Sequence, residues 1–261
     1  MAGRARKSTK APAEPPLRIL CFGDSLTCGY PIDNPYADRL VHKIEEAFPG
    51  RTIEHEVEGM PGDLVTTGQY LSRMQMSWTL AEHPYDWTIV LGGTNDLGWG
   101  RTADVIIEGL KRVWDIPLSK GSKVLALTIP ETQGKFPVII ERRGEVNDFI
   151  RGYEKEKENF FHFDLFKELP YHNMTPEDRA KYWNPDGVHL QAAGYDLMGE
   201  KIGDALVRIL RLAEAQGTDI SSVVSDARQR KAIESLIFEE EMGDPRLLSQ
   251  GYIVVRKKDL D

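Results

Sequence analysis

The sequence predicts an α/β protein whose parallel sheet is covered by helices on both faces. Three observations predict it. Four short apolar runs and one alternating run recur along the chain, several of them stopped by glycine or proline. Stretches with apolar residues at helical spacing lie between those runs. Strands that alternate with amphipathic helices pair in parallel and bury both sheet faces.

Taken in order, "LRILCF" (17–22) reads as the first buried strand, stopped by Gly23. "YADRLVHKIEEAF" (36–48) has apolar residues at 37, 40, 41, 44, 47 and 48, and Pro49 and Gly50 end it as a helix. "RTIEHEV" (51–57) alternates and reads as a strand, and a helix is expected from about Asp63 into the seventies. "DWTIVLGG" (86–93) is a buried strand stopped by glycines. "TADVIIEGLKRVWDIPL" (102–118) is helical, with Thr102 as its cap. "KVLALTIP" (123–130) is a strand, residues 138–157 a helix, "FFHFDL" (160–165) the fifth strand, and 191–215 a long closing helix.

These elements define one domain over 17–215. Residues 1–16, basic and then proline-rich, read as a disordered tail. Residues 216–261 read as a helical extension with a charged face, expected to pack on the domain or to join two copies in a homo-oligomer.

Composition narrows the class. Of 261 residues, 41% are apolar, enough for a packed core. Lys and Arg number 33 against 41 Asp and Glu, a net charge of −8, which argues against nucleic acid as a partner. No run approaches the length of a membrane span. The first residues lack the apolar middle region of a secretory signal, so the cytoplasm is the default compartment. Two cysteines, Cys21 and Cys28, give no disulfide framework. Cys21 reads as a small buried hydrophobe. Cys28 reads as a pocket-wall thiol rather than a second nucleophile, having no basic neighbour in sequence.

In parallel α/β folds ligands sit beyond the carboxyl ends of the strands. Three of the four stretches that matter follow strands directly, and the fourth closes the loop after strand five: "GDSLT" (23–27), "GMPGDLV" (59–65), "GGTNDLG" (92–98) and "DGVH" (186–189). Acyl transfer by a serine needs a base, an acid that orients it, and donors for an oxyanion. Asp186 and His189 are three residues apart, so the carboxylate can reach one ring nitrogen and leave the other for Ser25. Asn95 can offer an amide and Gly62 an unobstructed N–H. Each stretch alone also reads as turn chemistry. Asp24, Asp63 and Asp96 read as hydrogen-bonding groups rather than metal ligands. His42, His55, His83, His162 and His172 read as structural.

The four stretches in this order resemble the SGNH hydrolases, also called GDSL esterases/lipases, over roughly residues 17–211. The resemblance implies a three-layer α/β/α sandwich with a five-stranded parallel sheet of flavodoxin-like form. It implies Ser25 as nucleophile, His189 as base and then acid, Asp186 as orienting carboxylate, and an oxyanion hole from Ser25, Gly62 and Asn95, with no cofactor and no metal. Gly59 competes with Gly62, and Pro61 stands where the family usually has serine. Asp24, Trp99 and Val188, close to these motifs, are expected beside the substrate. The G-x-S-x-G elbow of α/β-hydrolases does not fit Gly23-Asp24-Ser25-Leu26-Thr27. With no long apolar lid in the sequence, the expected substrate is a small ester with a short acyl group. The alternatives are a lysophospholipase, thioesterase or sugar deacetylase of the same family, and a silent module that holds an acylated ligand in the same cleft.

Overall fold

A computed structural model of the chain describes residues 15–216, with side chains in the last helix described through residue 214. The elements run β1 (Leu17–Gly23), α1 (Ser25–Cys28), α2 (Tyr36–Ala47), β2 (Ile53–Gly59), α3 (Gly68–Leu80), β3 (Trp87–Leu91), α4 (Thr94–Gly98), α5 (Ala103–Ser119), β4 (Lys123–Leu127), α6 (Pro137–Tyr153), β5 (Phe160–Phe163), α7 (Leu165–Glu168), α8 (Pro176–Tyr182) and α9 (Ala192–Gln216). The expected tail, apart from residues 15 and 16, and the C-terminal extension beyond residue 216 lie outside the described residues. Among the described residues no helix is long and apolar enough to cross a membrane.

The five strands pair in parallel in the order β2-β1-β3-β4-β5. This is the flavodoxin-like order, which reverses direction between β1 and β3 and leaves a crevice beyond their carboxyl ends. Successive strand residues face opposite ways. Ile19, Cys21, Ile89, Leu91, Leu125 and Leu127 enter one core, with residues of α2 and α9. Leu20, Phe22, Val90, Val124 and Ala126 enter a second core, with residues of α3, α5 and α6. Two cores on one sheet make the three layers. The edge strand β2 is only half-buried, and its Glu54, His55 and Glu56 are exposed, which is why it alternates while the inner strands do not.

The expected elements are present, with shifted ends. The helix anticipated from Asp63 begins at Gly68. Residues 63–67 cannot join it because the Asp96 carboxylate holds the N–H groups of Val65 and Thr66, at 2.9 and 3.0 Å. The strand expected over 123–130 ends at Leu127; beyond it, both hydrogen-bonding groups of the Ile129 backbone are taken by the Asn147 amide. Thr102 occupies the N-cap position of α5, but its side chain makes no capping bond.

Helices α2 and α9 meet at close range. A Cβ built on Gly199 would lie 2.3 Å from the Tyr36 carbonyl oxygen, so only glycine fits there. Gly199→Ala should therefore lower stability by about 2 kcal/mol or more, although alanine is the better helix former. Urea unfolding checks this, and unchanged or increased stability would contradict the close approach.

Candidate active site

The crevice between β1 and β3 gathers the four stretches. Asp24 caps α1 by accepting the Leu26 N–H at 3.0 Å, so Ser25 opens that short helix. Ser25 is buried, with 6% of its surface exposed.

His189 reaches Ser25 from the loop before α9. Its Nε2 lies 2.9 Å from Ser25 Oγ, and its Nδ1 lies 2.7 Å from Asp186 Oδ2. The other oxygen of Asp186 accepts the N–H groups of Val188 and His189, at 2.8 and 2.9 Å. The Asp-Gly-x-His turn thus builds itself around one carboxylate. Its base is pinned by Asn184, whose N–H donates to the His189 carbonyl, and by the bridge between Trp183 and Leu190. Burial pushes the Asp186 carboxyl upward. The His189 and Val188 N–H groups and the His189 ring outweigh it, and the carboxyl stays below its ordinary range. A carboxylate only accepts, so Nδ1 carries the proton and the Nε2 lone pair faces the serine hydroxyl. Tyr30 sets its ring edge-on to the imidazole, at 4.8 Å between centroids, and its carbonyl is held by the Tyr195 hydroxyl.

The other two stretches lie across the crevice and are tied to the first. Asn95 Nδ2 donates one hydrogen bond to the Asp63 carbonyl, at 2.9 Å. Gly62 is exposed, with φ +77° and nothing within 4 Å of where a Cβ would sit. Gly59 ends β2 opposite Gly23, and a Cβ there would strike Cys28 and Asp24. Packing therefore accounts for Gly59. Among the described residues, neither the Ser25 N–H nor the Gly62 N–H donates to another protein group.

Arg73, on α3, is the site residue that the sequence did not announce. Its guanidinium donates to Asp63 Oδ2 at 2.9 Å, the Glu58 carbonyl at 3.1 Å and the Gly23 carbonyl at 2.8 Å. It also lies over the Phe22 ring. No local pattern marks an arginine whose partners lie up to fifty residues away. Asp24, Asp63 and Asp96 act as hydrogen-bond acceptors, as read from the sequence. Among the described residues, no group of three or more His, Cys, Asp or Glu could hold a metal.

Of the residues expected beside substrate, Asp24 is the most deeply buried. It is 1% exposed and its carboxylate faces the protein interior, where it caps α1. Trp99, just after α4, is 74% exposed, and Val188 is half-buried in the Asp186–His189 turn. Trp183, another aromatic near the motifs, is core. Cys28 is half-buried, and its Sγ donates to the Ser25 carbonyl at 3.4 Å. Burial pushes its thiol above the usual range, so it does not offer the thiolate that a second nucleophile needs.

The profile of the GDSL-like Lipase/Acylhydrolase family matches residues 21–197, about two thirds of the chain. The chain belongs to this family. It is a GDSL-type hydrolase acting on carboxylic esters. Its fold is similar to that of a lipolytic G-D-S-L family member from Veillonella parvula, with TM-score 0.58 and 23% identity over 73% of this chain and 98% of that one. It is also similar to the lipase/acylhydrolase from Enterococcus faecalis, with TM-score 0.55 and 22% identity over 73% and 95%. A carbohydrate acetylesterase family member from Sinorhizobium meliloti gives TM-score 0.55 and 20% identity over 72% and 96%. A search of curated proteins found no match.

Asp24 gives this hydrolase an electrostatic signature. Burial, with Asp96 and Asp63 nearby, pushes its carboxyl from 3.8 to about 7 against the opposing pull of the Leu26 N–H and Arg73. Its Oδ2 has no hydrogen-bond partner among the described residues. Because the folded form holds this proton more tightly than the unfolded chain, the carboxyl withdraws stability as pH rises from about 4 to 7. Asp24→Asn keeps a capping oxygen and cannot ionise. Its stability relative to wild type should therefore grow by about 2–4 kcal/mol between acid and mildly alkaline pH. Urea unfolding across that range measures it, and a difference independent of pH would contradict it.

Proposed function

We propose that this hydrolase cleaves esters of small acyl groups through an acyl-enzyme on Ser25. The observation that carries this reading is the unbroken chain Ser25 Oγ–His189–Asp186, at 2.9 and 2.7 Å. His189 Nε2 takes the hydroxyl proton as Ser25 Oγ attacks the ester carbonyl, and Asp186 holds the imidazolium that forms. The developing oxyanion is met by the N–H groups of Ser25 and Gly62 and by the second N–H of the Asn95 amide. The first N–H is spent on the Asp63 carbonyl, and that bond fixes the direction of the second. The tetrahedral adduct collapses, and His189 returns its proton to the leaving alcohol. Water then attacks the acyl-serine by the same path in reverse, releasing the carboxylic acid and restoring the hydroxyl.

A short acyl group is favoured because the β4–α6 connection, residues 128–136, carries no long apolar cover. We place Trp99 and Val188 on the walls that meet the acyl group.

Hydrolysis of p-nitrophenyl esters from acetate to laurate tests the reading. Wild type should prefer the short esters, and Ser25→Ala should lose about three orders of magnitude or more. A rate that climbs through the long chains would reject the short-acyl assignment, and an equally active Ser25→Ala would reject the nucleophile. Asn95→Ala should lower kcat by about 10²–10³ with a smaller change in KM, and a fall confined to KM would remove it from the oxyanion hole.

A further inference from the structure

A second cavity of about 420 Å³ opens between α6, the β4–α6 loop and the segment after β5. None of Ser25, Gly62, Asn95, Asp186 or His189 lines it. Its most unusual member is Arg143, on α6. This residue is 4% exposed, yet among the described residues the only hydrogen bond of its guanidinium is to the Pro130 carbonyl, at a long 3.3 Å. A guanidinium has five N–H donors, and a buried charge is normally paired. Arg143 has no ion pair among the described residues, and its charge lies over the Phe166 ring. The adjacent carboxylate, Glu131, has one oxygen committed to the N–H groups of Tyr171 and His172, at 2.7 and 2.9 Å. The other cationic groups differ. Arg151 is paired with Asp164 and Asp148, and Lys135 stands exposed at the rim. Burial pushes the Arg143 guanidinium below its usual range, with Glu131 as the opposing influence, as a buried charge short of partners should behave.

Gly144 stands on the same cavity wall. It lies inside α6 and lines the same cavity, and a Cβ there would meet nothing within 4 Å. Glycine inside a helix costs about 1 kcal/mol relative to alanine. Among the described residues nothing packs on this position, which is exposed at the cavity wall.

We infer that this cavity is a binding site for a small organic anion, a carboxylate on an apolar body. The planar carboxylate pairs with the open fork of Arg143, and the body lies against Phe166 and Ile140. Guanidinium forks match carboxylates in two parallel hydrogen bonds. Phe166 and Ile140 supply the apolar wall, and Lys135 adds positive charge at the mouth.

Titration with benzoate, followed by calorimetry, tests the inference, with benzamide as the uncharged analogue of the same shape. Wild type should bind one benzoate, and benzamide roughly tenfold or more weaker. Arg143→Met and Gly144→Leu should each weaken benzoate by a similar factor, while Ser25→Ala binds as wild type does. Gly144→Leu adds an apolar side chain at the cavity wall, where a Cβ has open space, and leucine is the better helix former, so it keeps the test decisive if Arg143→Met does not fold. The inference is overturned by no benzoate binding to wild type, by equal binding of benzamide, by unchanged affinity in Gly144→Leu, or by loss of binding in Ser25→Ala, which would put the benzoate in the catalytic crevice.

Discussion

The site depends on the way one guanidinium holds two loops against each other. Arg73 bonds the carbonyl that ends β1, a carbonyl near the end of β2 and the Asp63 carboxylate in the loop beyond β2. Asp63 in turn presents the carbonyl that aims Asn95, and Asp96, the next residue, holds Val65 and Thr66. The segments after β1, β2 and β3 are thereby locked in one arrangement. Charge-assisted bonds to a buried carboxylate are the strong kind, and Asp63 is nearly inaccessible to water. On the proposed function, groups that must stabilise charge as it forms are effective only when they are already in place, and these bonds hold Asn95 and the Asp63 loop fixed.

The same arrangement explains why Asp24 is tolerated with a raised pKa. The chain needs a cap at the start of α1, directly before Ser25, and a carboxyl supplies it. Arg73 lowers its burden, while Asp63 and Asp96 increase it. A stretch that sacrifices some stability to hold one residue, here Ser25, in a fixed place is a recognised trait of functional sites. His189 is placed more simply. Its turn is organised around Asp186 and needs only a long element, α9, to hold it over the crevice. The fit of Gly199 against Tyr36 fixes where that helix lies.

Much of this was legible in the sequence, for physical reasons. The inner strands announce themselves because both faces are buried, so their apolar runs are unbroken. Ser25, Asn95, Asp186 and His189 sit in short stretches whose order along the chain carries the information, and the structure brings all four to one crevice. Gly59 and Gly62 could be separated only in three dimensions, since the sequence does not say which glycine packs against Cys28. The start of α3 is not legible because a carboxylate thirty residues away takes the N–H groups of the residues before it. The capping role of Asp24 is not legible, because sequence proximity says nothing about the direction of a side chain. Arg73 left no trace, since its partners are brought to it only by the parallel pairing of β1 and β2.

The most direct measurement is covalent capture by a p-nitrophenyl phosphonate, a reagent that stops at the step after attack. Mass mapping should find a single adduct, on Ser25, formed at least about a hundredfold more slowly in His189→Ala. An adduct on Cys28 or elsewhere, or equal rates in the two proteins, would contradict the account.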